Sequence, residues 1–231
     1  MQTVLFEHLG TLSYQKAWDY QQEVFDRIFD VKKQNRQLKE EQTPTPNYLL
    51  FCQHNPVFTM GKAGSLDNLL LSEKELNQKG IEYFEINRGG DVTFHGLEQL
   101  IGYPILDLMN FKQDLHWYFR ELEEVIIQTM QTYNLDAGRV EGLTGVWIDP
   151  NSENPRKICA IGIRASRWIT MHGFALNVNT DLSYFDLIIP CGIKDKEVTS
   201  LEKEVGKKIN MQEVEQRVKQ QFEKRFNVKI V

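Results

Sequence analysis

The chain has no stretch of roughly 18 consecutive apolar residues, so no membrane span is expected. It has no excess of positive charge. Lys and Arg number 27 against 32 Asp and Glu, and the formal net charge is −5, which argues against general affinity for nucleic acid. Cysteine is scarce: Cys52, Cys159 and Cys191 are odd in number and not closely paired. A disulfide frame is therefore not expected, and a reducing, cytoplasmic setting is. No glycine run closes with Gly-Lys-Ser/Thr, and none has the Gly-x-Gly-x-x-Gly spacing, so neither common phosphate-binding loop is present. His54, His95 and His172 lack partners at helical spacing, so no metal site is expected. The opening Met-Gln-Thr-Val-Leu-Phe-Glu-His has no basic stretch followed by a long apolar one, so a secretory leader is not expected either.

What remains is a chain of 231 residues, 41% hydrophobic and 26% charged, with no repeat and no evident linker. One domain spanning 1–231 is expected. Apolar residues recur at helical spacing over 13–34 (Tyr14, Ala17, Trp18, Val24, Phe25, Ile28, Phe29), over 113–134 and over 210–225, predicting three long amphipathic helices. A proline-containing connector follows the first. Short strands are predicted at 3–8, 48–53, 57–61, 82–87 and 228–231, and at an extended 100–108 whose Pro104 favours an edge or a strand end. Alternation predicts three hairpin-like strands at 144–148, 157–165 and 168–178. Thr199 and Glu202 have the spacing of a capping box opening a short helix. The interspersed pattern gives an α+β class, one mixed and mostly antiparallel sheet flanked by helices.

Two features bear on chemistry. Residues Arg88 to Gly96 crowd a cation, two adjacent glycines, a hydroxyl and an imidazole into a stretch where a core strand has little use for them. Cys191 sits between Pro190 and Gly192 after an apolar approach, a setting that can present a thiol in a cleft. A free thiol is only about 3% thiolate at pH 7, so a nucleophilic cysteine needs a nearby base or cation. His54, His95, His172 and Lys157 are candidates. Lys157 opens an otherwise apolar strand, and simple alternation puts it on the same face as Cys159. By spacing alone Cys159 and Cys191 are rival nucleophiles, while Cys52, inside an apolar run, reads as core. Ala160-Ile161-Gly162 and Gly173-Phe174-Ala175 place small residues in neighbouring strands, where they either pack a tight sheet or open a channel for an apolar ligand.

Taken in order, His54-Asn-Pro-Val-Phe-Thr59, Arg88-Gly-Gly-Asp-Val-Thr-Phe-His95, Tyr103-Pro104, Lys157-Ile-Cys-Ala-Ile-Gly162, His172-Gly-Phe-Ala-Leu-Asn177 and Pro190-Cys191-Gly192 resemble the signature of lipoyl(octanoyl) transferases. The resemblance covers roughly residues 45–206. It implies a fold like that of biotin and lipoate protein ligases. It also implies transfer of an octanoyl group from octanoyl-acyl carrier protein to a lysine of lipoyl domains, those of 2-oxoacid dehydrogenase E2 subunits and of glycine cleavage H protein. Cys191 then matches the thioester-forming nucleophile and Lys157 its activator, with no cofactor. The matching substrate-binding segments are Arg88, Gly89, Gly90, Asp91, Val92, Thr93, Phe94 and His95; Ala160, Ile161 and Gly162; and Gly173, Phe174 and Ala175. A monomer is expected. Cationic spots for acidic partners are expected at Lys62, Arg88, Arg164, Arg167 and Lys194. An ATP-dependent lipoate ligase, a thioesterase-like hydrolase and a non-catalytic binding module are the rival readings. One departure is local: Leu97-Glu98 stand where the family usually has Pro-Gly.

Overall fold

The computed structural model describes residues 1–38, 42–189 and 197–231. Cys191, with Pro190, Gly192 and Lys194, lies outside them.

The strands are β1 (Gln2–Leu12), β2 (Tyr48–His54), β3 (Val57–Met60), β4 (Glu82–Glu85), β5 (Val92–His95), β6 (Gln99–Ile105), β7 (Ala137–Gly138), β8 (Val146–Ile148), β9 (Arg156–Ser166), β10 (Ile169–Asn177), β11 (Glu197–Val198) and β12 (Val228–Ile230). The helices are α1 (Tyr14–Asn35), α2 (Glu73–Lys79), α3 (Leu115–Gln131), α4 (Leu201–Val205) and α5 (Met211–Phe226). The main sheet runs β12-β1-β2-β6-β10-β9-β8-β7, with β11 beside β9. It is parallel between β12, β1 and β2, and antiparallel from β2 through to β7. A small sheet, β4-β3-β5, stands apart from it.

Period-2 alternation sorts the main sheet into two faces. Leu49, Phe51, Leu100, Phe174 and Leu176 pack with α3 and α5. Leu50, Cys52, Ile101, Tyr103, Ile105 and Ala175 pack towards α1 through Ala17, Val24, Phe25 and Ile28. The helix ends follow local chemistry. Ser72 and Glu75 form a capping box on α2, and Gly80 closes it at φ 65. Asp114 caps α3, Asn210 caps α5, and Asn227 ends α5 in the left-handed region.

Pro104 sits at a strand end, as expected: it is the next-to-last residue of β6, paired with Leu49 of β2. It is tolerated because regular pairing towards β10 stops at Gly102, and Thr170 Oγ1 donates to the Pro104 carbonyl at 2.8 Å. Two other expectations are corrected. The short helix after β11 is capped by Ser200, which accepts from Lys203 N; Thr199 instead donates to Glu204 Oε1 at 2.6 Å. Finally, Lys157 and Cys159 do not share a face.

Candidate active site

The main sheet and the small sheet enclose a cleft with about 850 Å³ of empty space, part of it open to solvent. Its floor is laid by registration. Gly162 of β9 sits opposite Gly173 of β10, and Ala160 opposite Ala175. Small residues thus face small residues across the ladder, and Ile101 and Tyr103 of β6 continue the surface. Gly173 is required there on steric grounds, since an added Cβ would lie 2.2 Å from Gly102 O and 2.6 Å from Pro104 Cδ.

Lys157 reaches this floor through a bulge. Ala160 and Gly162 face the cleft, and strict alternation would send Ile158 there next. Instead the β8–β9 register shifts, pairing Val146 with Cys159 but the adjacent Trp147 with Lys157. Ile158 and Cys159 both turn into the core beneath α3, fully buried, and Lys157 turns into the cleft. Burial pushes the Cys159 thiol well above its ordinary range. The alternation that made Cys159 a companion of Lys157 is broken at this residue.

The opposite wall is the stretch after β4. Arg88 is 7% exposed, and its guanidinium is held rather than mobile. Nη2 donates to Thr59 O at 2.7 Å and to Thr59 Oγ1 at 3.0 Å, and Nη1 donates to Gly89 O at 3.0 Å. Glycines let the wall close on it: a Cβ on Gly61 would meet Gly90 O at 2.3 Å, and one on Gly162 would meet Arg88 Cδ at 2.9 Å. Asp91 accepts from Asn68 Nδ2 and Val92 N, fixing the turn into β5.

From Arg88 a line of buried hydrogen bonds crosses the site. Thr59 Oγ1 donates to His95 Nε2 at 3.3 Å, and His95 Nδ1 donates to Gln99 Oε1 at 3.0 Å. Gln99 Nε2 donates to Asn177 Oδ1 at 2.8 Å, and Asn177 Nδ2 donates to Thr199 O at 3.0 Å. This ordering needs neutral His95, and the imidazole pKa is lowered well below its usual value by burial, then by His54 and Arg88. His54 is also neutral, lowered to about 4 by burial; Nδ1 donates to Leu12 O at 3.0 Å and Nε2 accepts from Tyr103 OH at 2.7 Å. His172 has φ 58, unusual for a non-glycine residue inside a strand. Its N–H donates to Gln21 Oε1 of α1 at 2.9 Å, and Nε2 donates to Asn87 Oδ1 at 3.0 Å. Its pKa is lowered to about 3 by burial, Arg88 and Arg164. Among the described residues no cluster of three His, Cys, Asp or Glu could hold a metal ion.

Of the residues singled out in the sequence, Lys157, Arg88, Gly90, Asp91, Val92, Thr93, His95, Ala160, Ile161, Gly162, Gly173, Phe174 and Ala175 all line this one cleft. Gly89 and Phe94 are not among its lining residues. Gly89 N–H donates to Ile163 O at 3.0 Å, tying the wall to β9, and Phe94 stacks on Tyr184 with ring centroids 4.4 Å apart. Cys191 lies outside the described residues, but both flanks of its segment reach the cleft: Phe185 before it and Val198 after it are lining residues. Val198 pairs in parallel register with Lys157. Tyr14, Gln99, Asn177, His172 and Thr144 also line the cleft and were not singled out as binding residues. Of the expected cationic spots, Lys62 and Arg167 are exposed, whereas Arg164 donates to Met171 Sδ. Glu98, where a glycine was expected, takes φ 57, and its N–H donates to Gln53 Oε1 at 2.7 Å.

The model of the lipoyl protein ligase A/B catalytic domain matches residues 13–223. The octanoyltransferase of Flavobacterium psychrophilum is 53% identical over 230 residues, covering 99% of both chains. That of Cytophaga hutchinsonii is 53% identical over 216 residues, covering 92% of this chain and 88% of the other. Among solved structures, the bi-partite lipoate protein ligase of Thermoplasma acidophilum superposes with a TM-score of 0.72 at 16% identity, covering 100% of this chain and 86% of that one. A lipoate-protein ligase A bound with ATP gives 0.71 at 15% identity, covering 100% and 88%. These likenesses show the α+β fold of lipoate protein ligases. The chain belongs to the octanoyltransferase family and is an acyl-transferring enzyme.

Proposed function

We propose that this enzyme, acting as one domain over 1–231, carries an octanoyl group from octanoyl-acyl carrier protein to a specific lysine of lipoyl domains, through a thioester on Cys191 activated by Lys157. The acceptors are the lipoyl domains of 2-oxoacid dehydrogenase E2 subunits and glycine cleavage H protein, and the setting is the cytoplasm. The observation that carries this reading is the pairing of Val198 with Lys157. The strand that the chain enters soon after Cys191 is registered on Lys157, the one lysine of the cleft's lining among the described residues. Cys159, the rival thiol, is fully buried in the core.

The chemistry balances without ATP. The Cys191 thiolate adds to the thioester carbonyl, and the carrier's thiolate departs with a proton from the Lys157 ammonium. One thioester replaces another of similar energy. The acceptor amine then attacks the acyl-enzyme, the C–S bond breaks, and Lys157 takes the proton the amine gives up. Amide formation draws the sequence forward. The small-residue floor from Gly162 and Gly173 to Ala160 and Ala175 accommodates the acyl chain, and Arg88, His95 and Thr93 shape the wall facing it.

Intact mass after incubation with octanoyl-acyl carrier protein and no nucleotide tests this. A single octanoyl adduct is expected, absent in Cys191→Ser and retained in Cys159→Ser. An adduct that survives Cys191→Ser, or a strict ATP requirement for labelling a lipoyl domain, would overturn it.

A further inference from the structure

Lys157 is not alone on its face of the sheet. The β8–β9 bulge that turns it into the cleft also sets it directly across the ladder from Trp147. Its Nζ stands over the Trp147 ring, 4.6 Å from the centroid. The indole itself is 2% exposed, flanked in sequence by Val146 and Ile148, which point the other way into the core.

The indole N–H makes no hydrogen bond among the described residues, although it is buried. An unsatisfied buried donor is a cost that phenylalanine at the same site would avoid. The N–H therefore does not explain the side chain. What tryptophan offers Lys157 is its face, the strongest of the aromatic faces for a cation. That attraction exists only for the ammonium, because the ring quadrupole acts on charge.

We infer that Trp147 is a positioning residue, which holds Lys157 as an ammonium over its ring at the cleft floor, so that the acyl step starts from a charged lysine. This rests on the role proposed for Lys157 and makes it more specific. In the resting enzyme Lys157 is then the proton donor to the first leaving group. It becomes a base only after that proton has gone. The bulge is the device that makes the pairing possible. With regular alternation, Ile158 would face the cleft and the Trp147 ring would have no cation across the ladder.

The test titrates Lys157 directly in the substrate-free enzyme, by carbon-13 NMR of lysine labelled at Cε, with the resonance assigned by its loss in Lys157→Arg. Trp147→Met keeps an apolar side chain of flexible shape but removes the ring, and Trp147→Phe keeps a ring of weaker face. The Lys157 midpoint is expected to fall by on the order of 0.4 to 1.5 units in Trp147→Met and by less in Trp147→Phe. The pH profile of octanoyl-adduct formation should move with it. An unchanged midpoint in folded Trp147→Met overturns the inference, and if that variant does not fold, an unchanged midpoint in Trp147→Phe does so. A lowered midpoint with an unmoved adduct profile refutes the positioning role while leaving the ring contact standing. Loss of the adduct from Cys191→Ser alone is independent of all three variants, so failure of the parent mechanism is read separately.

Discussion

The backbone N–H of Thr199 donates to the carbonyl oxygen of Lys157 at 2.9 Å. Thr199 is also where the hydrogen-bond line that starts at Arg88 ends, since its carbonyl accepts from Asn177 Nδ2. The two walls of the cleft are therefore tied by one polar path through Thr59, His95, Gln99 and Asn177, each of them buried. Such paths specify a single arrangement only when every member is satisfied.

Asn177→Leu should break that path at its last link. The substitution keeps the branched outline of the side chain but leaves Thr199 O without its side-chain donor and removes the Asn177 Oδ1 acceptor from Gln99 Nε2, which keeps only Phe94 O at 3.2 Å. A loss of about 1–3 kcal/mol is expected in denaturant unfolding. Octanoyl transfer should fall even under conditions where the variant is fully folded, because the Lys157 strand loses part of its anchor.

Gly162 and Gly173 face each other, yet alanine at the two positions should do different things. At Gly173 the new Cβ meets backbone, Gly102 O at 2.2 Å, so the ladder between β6 and β10 must open. Gly173→Ala is expected to lower the melting temperature strongly and reduce soluble yield. At Gly162 the nearest obstacle is the Arg88 side chain at Cδ, 2.9 Å away, with Gly89 O at 3.2 Å. Gly162→Ala should therefore fold, displace Arg88, and lose transfer activity. Thermal melts beside single-turnover acylation separate the two outcomes, and comparable melting temperatures would contradict this division.

Most of the elements were legible because their patterns are periodic. The stripes of α1, α3 and α5 and the apolar run of β2 read directly as parts packed on the two faces of the sheet. Among the described residues, parts of the segments 88–95, 157–162 and 172–177 line one cleft. Local exceptions were not legible, and the site depends on them. The α1 stripe runs on through Gln21 and Lys32, both buried, but polar residues carry no apolar signal, although their helical phase alone would have placed them. The bulge at Ile158 and Cys159 reverses alternation where Lys157 matters most, and no residue in Lys-Ile-Cys-Ala marks it. The positive φ at His172 is equally silent, since it is not a glycine. The two-residue β7 and β11 are too short for any periodicity to show.

The three buried imidazoles predict acid lability. His54 and His172 titrate near pH 4 and 3 in the folded enzyme, and His95 also well below its ordinary value. Unfolded, each has a pKa near 6.5. Below about pH 6.5 the unfolded chain binds protons that the folded chain refuses, so stability falls as pH falls, by up to about 1.4 kcal/mol per pH unit for each histidine. The loss runs from about 6.5 down to the folded values. His172→Gln preserves a donor towards Asn87 and removes one of these groups. Its melting temperature should therefore decline less steeply between pH 6.5 and 4.5 than that of the parent. Parallel slopes would mean that His172 is not held neutral.

The last prediction concerns the far end of α1, away from the chemistry. Lys32 and Asp107 form an ion pair with side chains 7% and 3% exposed. Asp107 also accepts from Thr45 Oγ1 at 2.9 Å and from Met109 N at 3.1 Å, while its own N–H donates to Asn47 Oδ1 at 2.9 Å. The cluster clamps the end of α1 and the connector after it to the exit of β6. Lys32→Met leaves a buried carboxylate with no cation and should cost about 3–5 kcal/mol. Replacing both partners, Lys32→Met with Asp107→Leu, removes the stranded charge but frees Thr45, Met109 N and the clamp on the connector. The double variant should recover part of the loss and remain below the parent. Equilibrium urea unfolding of four proteins, the parent, Lys32→Met, Asp107→Leu and the double variant, gives the coupling between the two residues. Simple additivity of the single losses would show that they do not act as a pair.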